Sequence, residues 1–243
     1  MSSLRCMPKH IAIIPDGNGR WAKLQKQDRT FGHMKGTANV KDIVMFAKEL
    51  KIPVLTIYAF SDENWERPSQ EVTILMELLE TYLLQERQNL IQNKIQLRAM
   101  GDIGRLPKSV REELIQTMEM TAHLDEMILN FAISYGGRSE ILSAIQKISK
   151  GIQKGDFRDE DITEALFSKF LYTHDLPDPD LLIRTSGELR ISNFMLWQMA
   201  YTEIYVTDVL WPDFNREEFM KALHVFENRK RRFGKTQEQM DGS

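Results

Sequence analysis

The sequence predicts an α/β fold: a single domain built on a mostly parallel six-stranded sheet flanked by helices. Short apolar runs recur at 10–14, 53–60, 94–100, 127–134, 180–184 and 203–206, each bounded by polar or glycine-containing segments. Stretches with the apolar spacing of amphipathic helices separate them, the alternation that buries parallel strands between helical layers. At 243 residues, 42% hydrophobic and 28% charged, the chain can form one full core and is too apolar to be mainly disordered.

In chain order, Ile11, Ala12, Ile13 and Ile14 form a buried strand that ends abruptly in Asp16-Gly17-Asn18-Gly19-Arg20-Trp21-Ala22. The two glycines let backbone N–H groups approach phosphate oxygens, and Arg20 adds a planar cationic fork. A helix starting just beyond would aim its positive end at the same place. Asp16 at the mouth would repel a diphosphate unless a divalent cation stood between them. A helix is expected over 36–50, and the second strand runs into the polar segment from Ser61 to Pro68. The helix over 70–93 carries Val72, Leu75, Met76, Leu79, Leu83 and Leu84, with Ile74, Leu78 and Tyr82 as a second apolar flank. That stripe is wider than one packing face needs and suits a helix clamped between the sheet and a partner, or else the wall of an apolar tunnel. Further helices are expected over 108–121, 138–152 and 216–232. The domain is expected to span 1–234, with 235–243 a frayed polar tail.

A formal charge of -3 gives no general affinity for nucleic acid. The single cysteine, Cys6, cannot close an internal disulfide, which fits a reducing cytosol. The N-terminus lacks the apolar core of a signal peptide, and no run of eighteen apolar residues occurs. A cytoplasmic protein is expected.

Ligands of an open α/β sheet bind beyond the carboxyl ends of its strands. There the chain carries Ser61-Asp62-Glu63-Asn64-Trp65-Glu66-Arg67, Tyr135-Gly136-Gly137-Arg138, and Arg184-Thr185-Ser186-Gly187-Glu188-Leu189-Arg190-Ile191-Ser192-Asn193. Arginines, hydroxyls and glycines drawn from separate loops are how phosphate sites are assembled. An isolated Asp before a helix is most often an N-cap, but Arg20 four residues on and Arg184 after another strand favour a charged site. Alone, His33 would read as a turn residue, Trp21 and Trp65 as packing, and the basic run from Arg229 to Arg232 as a solvated helix end.

Gly17-x-Gly19-x-x-Ala22 formally matches a dinucleotide fingerprint. The ribose-binding acid expected about twenty residues later would fall among Lys35 to Asp42 on the approach to a helix, not at a strand end. A nicotinamide- or flavin-dependent oxidoreductase is therefore the weaker alternative. The chain has no P-loop, no zinc-ligand spacing, no Gly-x-Ser-x-Gly elbow and no Asp-Asp-x-x-Asp helix.

Together the segments at 10–22, 32–36, 58–68, 135–140, 182–188, 190–194, 196–198 and 211–214 resemble the cis-prenyltransferase family, in order and over nearly the whole chain. Departures stand at Pro15, Asp62, Ser134 and the variable Leu189. The resemblance implies condensation of isopentenyl diphosphate onto farnesyl diphosphate, giving a long-chain Z-polyprenyl diphosphate such as undecaprenyl diphosphate, precursor of a cell-wall carrier lipid. A product of different length is the alternative within the family.

By the same resemblance, Asp16 would hold Mg²⁺, and the N–H groups of Gly17, Asn18, Gly19 and Arg20, with Arg20, Arg29 and His33, would clamp the allylic diphosphate. Trp21 would flank the prenyl chain. Arg184, Arg190, Ile191 and Ser192 would receive isopentenyl diphosphate, with Glu203 the second metal carboxylate near a homodimer contact. Ser61, Asp62, Glu63, Asn64, Trp65 and Arg67 would form a closing loop, tethered by Glu71. Asn64 stands at the proton-acceptor position; an amide is nearly non-basic, so it is expected to orient substrate or water while a diphosphate oxygen takes the proton. Release of so apolar a product implies transient association with a membrane surface.

Overall fold

In the computed structural model, residues 6–229 are described. The six apolar runs become β1 (His10–Ile14), β2 (Val54–Ser61), β3 (Ile95–Met100), β4 (Met127–Tyr135), β5 (Leu181–Arg184) and β6 (Glu203–Val206). Their order is β3-β4-β2-β1-β5-β6, and every pairing is parallel. Strands covered on both faces need apolar side chains in both directions, which is why the runs are continuous rather than alternating. Ile11 and Ile13 join the main core, whereas Ala12 and Ile14 join a smaller one with Tyr58, Tyr135, Phe194 and Met195. The chain leaves β1 toward β2 on one side and returns to β5 on the other, so the carboxyl end of β1 opens on a crevice.

Around the sheet lie α1 (Asn18–Leu24), α2 (Arg29–Glu49), α3 (Ser69–Gln92), α4 (Lys108–Thr121), α5 (Gly137–Lys154), α6 (Glu164–Ser168) and α7 (Arg216–Glu227). Helix α2 begins at Arg29, well before the expected residue 36. The Asp28 side chain caps it by accepting the Phe31 N–H at 3.0 Å. Its early glycines are where α1 crosses closely: a Cβ on Gly32 would lie 2.0 Å from the Asn18 carbonyl oxygen, and one on Gly36 2.3 Å from Asn18 Oδ1. The short α6, capped by Thr163, was not legible as a helix. On α3, Leu84 is 53% exposed, so the apolar face is narrower than the sequence suggested. The end of the expected helix over 216–232, the domain limit at 234 and the tail at 235–243 lie outside the described residues. Among the described residues, no helix is long and apolar enough to cross a membrane.

A buried polar chain crosses the middle of the sheet. His10 Nδ1 lies 2.6 Å from the Pro177 carbonyl oxygen and Nε2 2.7 Å from Thr56 Oγ1. A carbonyl only accepts, so Nδ1 carries the proton and Nε2 accepts from the Thr56 hydroxyl, which itself accepts from Asn130 Nδ2 at 3.2 Å. Burial lowers the His10 pKa to about 4, against smaller opposing effects from Pro177 and Asp180.

Candidate active site

The site grows from the end of β1. After Pro15, the Asp16 backbone is fastened on two sides: its N–H donates to Thr185 Oγ1 at 2.8 Å, and its carbonyl accepts from the Thr185 hydroxyl at 2.6 Å and the Trp211 N–H at 3.0 Å. Gly17 then turns at φ +106 to open α1, and a Cβ there would come within 2.9 Å of Leu210 Cδ2. The Asp16 side chain is not the cap of α1. One oxygen takes the Gly17 N–H at 2.7 Å and the other Arg184 Nη2 at 2.8 Å. Burial pushes its carboxyl up, but Arg184, the Gly17 N–H and Ser186 outweigh that and hold it below the ordinary value of 3.8.

Arg184, the last residue of β5, is 3% exposed. Its Nη1 donates to the Arg190 carbonyl and to Ser192 Oγ at 2.8 Å, leaving Nε buried without a partner. Ser186, Ser192, Asn193 and Met195, in the same loop, have positive φ. Non-glycine residues in that region cost about 1–3 kcal/mol each and persist where surrounding contacts over-determine them. Arg20 reaches Ser186 Oγ and Glu188 (3.3 Å) and lies 3.8 Å from Asp16; Arg190 pairs with Glu188 at 2.6 Å.

Across the crevice, Ser61 ends β2 and opens a short 3₁₀ helix, Asp62–Glu66. The Asn64 Oδ1 accepts the Ser61 N–H at 3.2 Å, half of a capping box. Three side chains fasten this segment away from the crevice. Asp62 accepts from Ser139 Oγ at 2.7 Å and Arg105 at 3.2 Å, Glu63 from Asn193 Nδ2 at 2.9 Å, and Trp65 Nε1 donates to Ser134 Oγ at 2.9 Å. Two departures from the family pattern, Asp62 and Ser134, thus contact this segment or belong to it. Beyond it, one oxygen of Glu71 faces Arg67 Nη1 (2.9 Å), Arg29 Nε (3.0 Å) and His33 Nε2 (3.4 Å). Burial and the neighbouring Arg67 charge lower the His33 pKa, so its ring is neutral at pH 7.

A cavity of about 390 Å³ joins these groups. At its polar end lie Asp16, Asn18, His33, Ser61, Asn64, Arg67, Arg184, Arg190 and Ser192. Its apolar end runs over Val40, Leu75, Met76, Leu78, Leu79, Tyr82 and Phe131. Asn18 Oδ1, like Arg184 Nε, is buried with no protein partner and belongs to a lining residue. A second cavity shares Asp16 and is lined by Gly19, Arg20, Lys23, Gln27 and Arg29. Asp16 therefore stands between two basic recesses.

Several expected site residues lie elsewhere. Trp21 lines neither cavity: its ring stacks on Phe31 at 5.8 Å and its Nε1 donates to Asp213 at 2.8 Å. Ile191 packs against the smaller core. Asp62, Glu63 and Trp65 hold their segment in place rather than lining a cavity. Glu203 stands apart from Asp16 in the single chain. It opens β6 opposite Leu181, three residues and so about 10 Å before the level of Arg184, and accepts from Arg229 at 2.9 Å. Within one chain it does not reach Asp16. Sequence reasoning passed over Thr185 and Ser186, whose hydroxyls shape the Asp16 loop, though the Thr-Ser-Gly run after a strand was a usable signal. Glu71, expected from the resemblance to tether the closing loop, does pair with Arg67, but its contacts with Arg29 and His33 had no sequence signal.

The donor set suits Mg²⁺. Mg²⁺ takes one or two carboxylates and fills its other positions with water and phosphate oxygens. Asp16 is ionised, one-third exposed and set between two basic recesses. A single carboxylate of this kind fits an ion whose remaining positions are filled by water and phosphate oxygens.

The family model described as "Putative undecaprenyl diphosphate synthase" matches residues 14–234. A ditrans,polycis-undecaprenyl-diphosphate synthase (farnesyl-diphosphate specific) of Vibrio vulnificus is 50% identical over 234 residues, 96% of this chain and 93% of that one. An isoprenyl transferase of Bacillus subtilis is 50% identical over 228 residues, 94% and 88% of the two chains. Among solved structures, lavandulyl diphosphate synthase from Lavandula x intermedia, in complex with dimethylallyl diphosphate, superposes with a TM-score of 0.92 at 39% identity, covering 94% of this chain and 98% of that one. A probable undecaprenyl diphosphate synthase from Campylobacter jejuni gives 0.78 at 35%, covering 95% and 100%. Matched along nearly its whole length by both sequence and fold, the chain belongs to the undecaprenyl diphosphate synthase family of prenyltransferases.

Proposed function

We propose that the protein elongates a prenyl chain in cis, condensing isopentenyl diphosphate with farnesyl diphosphate repeatedly to give undecaprenyl diphosphate. The observation that carries this reading is a single cavity with a carboxylate and arginines at one end and an apolar wall of α3 at the other. An amphiphile with a charged head and a growing hydrocarbon tail has that polarity. Each buried CH₂ contributes about 0.8 kcal/mol, so the tail needs such a wall.

The Gly17 to Arg20 backbone, Arg20, Arg29 and His33 would take the allylic diphosphate, and Arg184, Arg190 and Ser192 that of isopentenyl diphosphate. As the allylic C–O bond stretches, negative charge gathers on the leaving diphosphate. Arg20 and Arg190, already held by Ser186 and Glu188, stabilise that charge more than the ground state, with little reorganisation. Asp16 would hold Mg²⁺, which when bound neutralises diphosphate charge and helps the leaving group depart. The Asn64 amide, at the cavity wall, orients the isopentenyl group or a water while diphosphate oxygen accepts the proton lost on forming the Z double bond.

A shorter product is the second reading. It is favoured by the cavity volume, which lies near the lower end of the range for small-ligand sites rather than matching eleven five-carbon units. Radiolabelled isopentenyl diphosphate supplied with farnesyl diphosphate, with and without Mg²⁺, separates the two. Label in a long polyprenyl diphosphate only with Mg²⁺ supports the proposal, label confined to short chains supports the second reading, and no incorporation refutes both.

We propose further that the protein is a cytoplasmic homodimer. Edge strand β6 leaves Ile204 45% exposed, next to Tyr201 at 66%. Product release would bring the dimer transiently to a membrane surface; flotation with product-loaded protein and vesicles reads this out, and loaded protein left in the bottom fraction contradicts it.

A further inference from the structure

We propose that Glu71 is a resident counter-anion of the arginine clamp: its carboxylate occupies the place of a diphosphate between Arg29 and Arg67, beside the His33 ring, and is displaced when a diphosphate binds. This rests on the reading of the crevice as a diphosphate site. Three residues from two stretches of chain, Arg29 and His33 on α2 and Arg67 after the 3₁₀ helix, converge on one carboxylate oxygen, at 3.0 Å from Arg29 Nε, 2.9 Å from Arg67 Nη1 and 3.4 Å from His33 Nε2. The Glu71 side chain is 16% exposed and that of His33 10%, whereas Arg67 is 29% and Arg29 57% exposed, so the carboxylate is mostly enclosed while the arginines stay open to a ligand. Arg29 also lines the recess beside Asp16, and Arg67 and His33 line the main cavity, so the groups gathered by Glu71 are those that open onto both.

One carboxylate cannot satisfy two guanidiniums as fully as a diphosphate, which carries more charge and more oxygens. An entering diphosphate therefore outcompetes Glu71, while the freed carboxylate remains close enough to repel it. Binding is weakened, and departure is assisted. Arg67 directly follows the 3₁₀ helix that carries Asn64, so the exchange also reaches the segment over the crevice. With Glu71 holding Arg67 the segment keeps the position seen here, and with diphosphate holding Arg67 it is drawn toward the substrates. After each condensation Glu71 recaptures both arginines as pyrophosphate leaves. A reaction repeated many times on one growing chain needs such a reset.

Inorganic pyrophosphate, which has no prenyl group to react, is the probe. Its affinity is measured by titration calorimetry in chelator-containing buffer for the wild type, Glu71→Gln and Glu71→Ala, with thermal melts reporting folding. Both variants are expected to bind about tenfold more tightly, the scale of removing one competing ion-pair partner. Equal or weaker binding by folded variants overturns the proposal, because it makes Glu71 a mere support for the arginines. Wild-type crystals soaked in pyrophosphate give a check independent of variant folding. Glu71 should then lie beyond ion-pair distance, about 4 Å, from both Arg29 and Arg67; contacts retained with pyrophosphate bound overturn the exchange. Pyrophosphate failing to bind the wild-type crevice at all refutes the diphosphate reading itself, and the inference with it.

Discussion

Asp16 and His10, six residues apart on one strand and its loop, show how environment divides the work of titratable groups. Asp16 is held ionised by Arg184, Gly17 and Ser186 against the cost of its partial burial. Asp16→Ala is expected to lower kcat by about a hundredfold or more, the scale of removing a preorganised electrostatic group. Its melting temperature should change little, since Arg184 keeps Ser192 and the Arg190 carbonyl; an undiminished rate would remove Asp16 from the chemistry. His10 works in the opposite sense, buried and neutral. Its pKa falls from 6.5 to about 4, so protons bind the unfolded chain more readily between those values. The stability it supports is complete above pH 6.5 and is lost as pH falls toward 4, about 3 kcal/mol in all. Urea unfolding from pH 7 to 4 checks this, and a His10→Gln variant should lose that part of the slope. The charged cluster around Asp16 was legible in sequence because Arg20 four residues on and Arg184 after another strand set it apart from an ordinary N-cap. The role of Glu203 rests on the resemblance alone; in the single chain it opens β6 opposite Leu181 and accepts from Arg229.

Among the elements, α3 does two things at once. Its Leu83 and Leu90 are sunk in the core, while Leu75, Leu78, Leu79 and Tyr82 face the cavity. The long apolar stripe was read correctly as more than one face, yet its edge was not, since Leu84 meets solvent. Periodicity marks a face but not the neighbour that covers it. Leu79→Trp adds bulk at the cavity wall and should shorten the product, read by chromatography of labelled prenyl alcohols; an unchanged length distribution would place the growing chain elsewhere. Helix α2 is the instructive miss. It begins at Arg29 rather than at residue 36, and Gly32 and Gly36 within it serve the close crossing of α1, a reason visible only in three dimensions. The segment after β2 was legible as a polar loop over the site, whereas its 3₁₀ winding and its ties to Ser139, Asn193 and Ser134 depend on residues distant in sequence.

At the level of the whole molecule, the parallel sheet and its strand positions followed from apolar runs alone, because strands buried on both faces leave an unambiguous signature. The order β3-β4-β2-β1-β5-β6 was not legible, since pairing is set by tertiary contacts. That order places β1 centrally, between the loops bearing Asn64 and Arg184. The edge at β6 predicts self-association: sedimentation should give a dimer, and Ile204→Asp should shift it toward monomer; an unchanged dimer would move the contact to another face. The central claim is that one cage of arginines around Asp16 holds both diphosphates while α3 lines the hydrocarbon. Its most direct test is a crystal structure with Mg²⁺, isopentenyl diphosphate and a non-hydrolysable farnesyl thiodiphosphate. The account predicts one diphosphate on Arg184, Arg190 and Ser192, the other on the Gly17 to Arg20 backbone with Arg29, Mg²⁺ on Asp16, and the farnesyl chain along Leu75, Leu79 and Tyr82. Diphosphates bound away from Asp16, or a farnesyl chain outside that cavity, would contradict it.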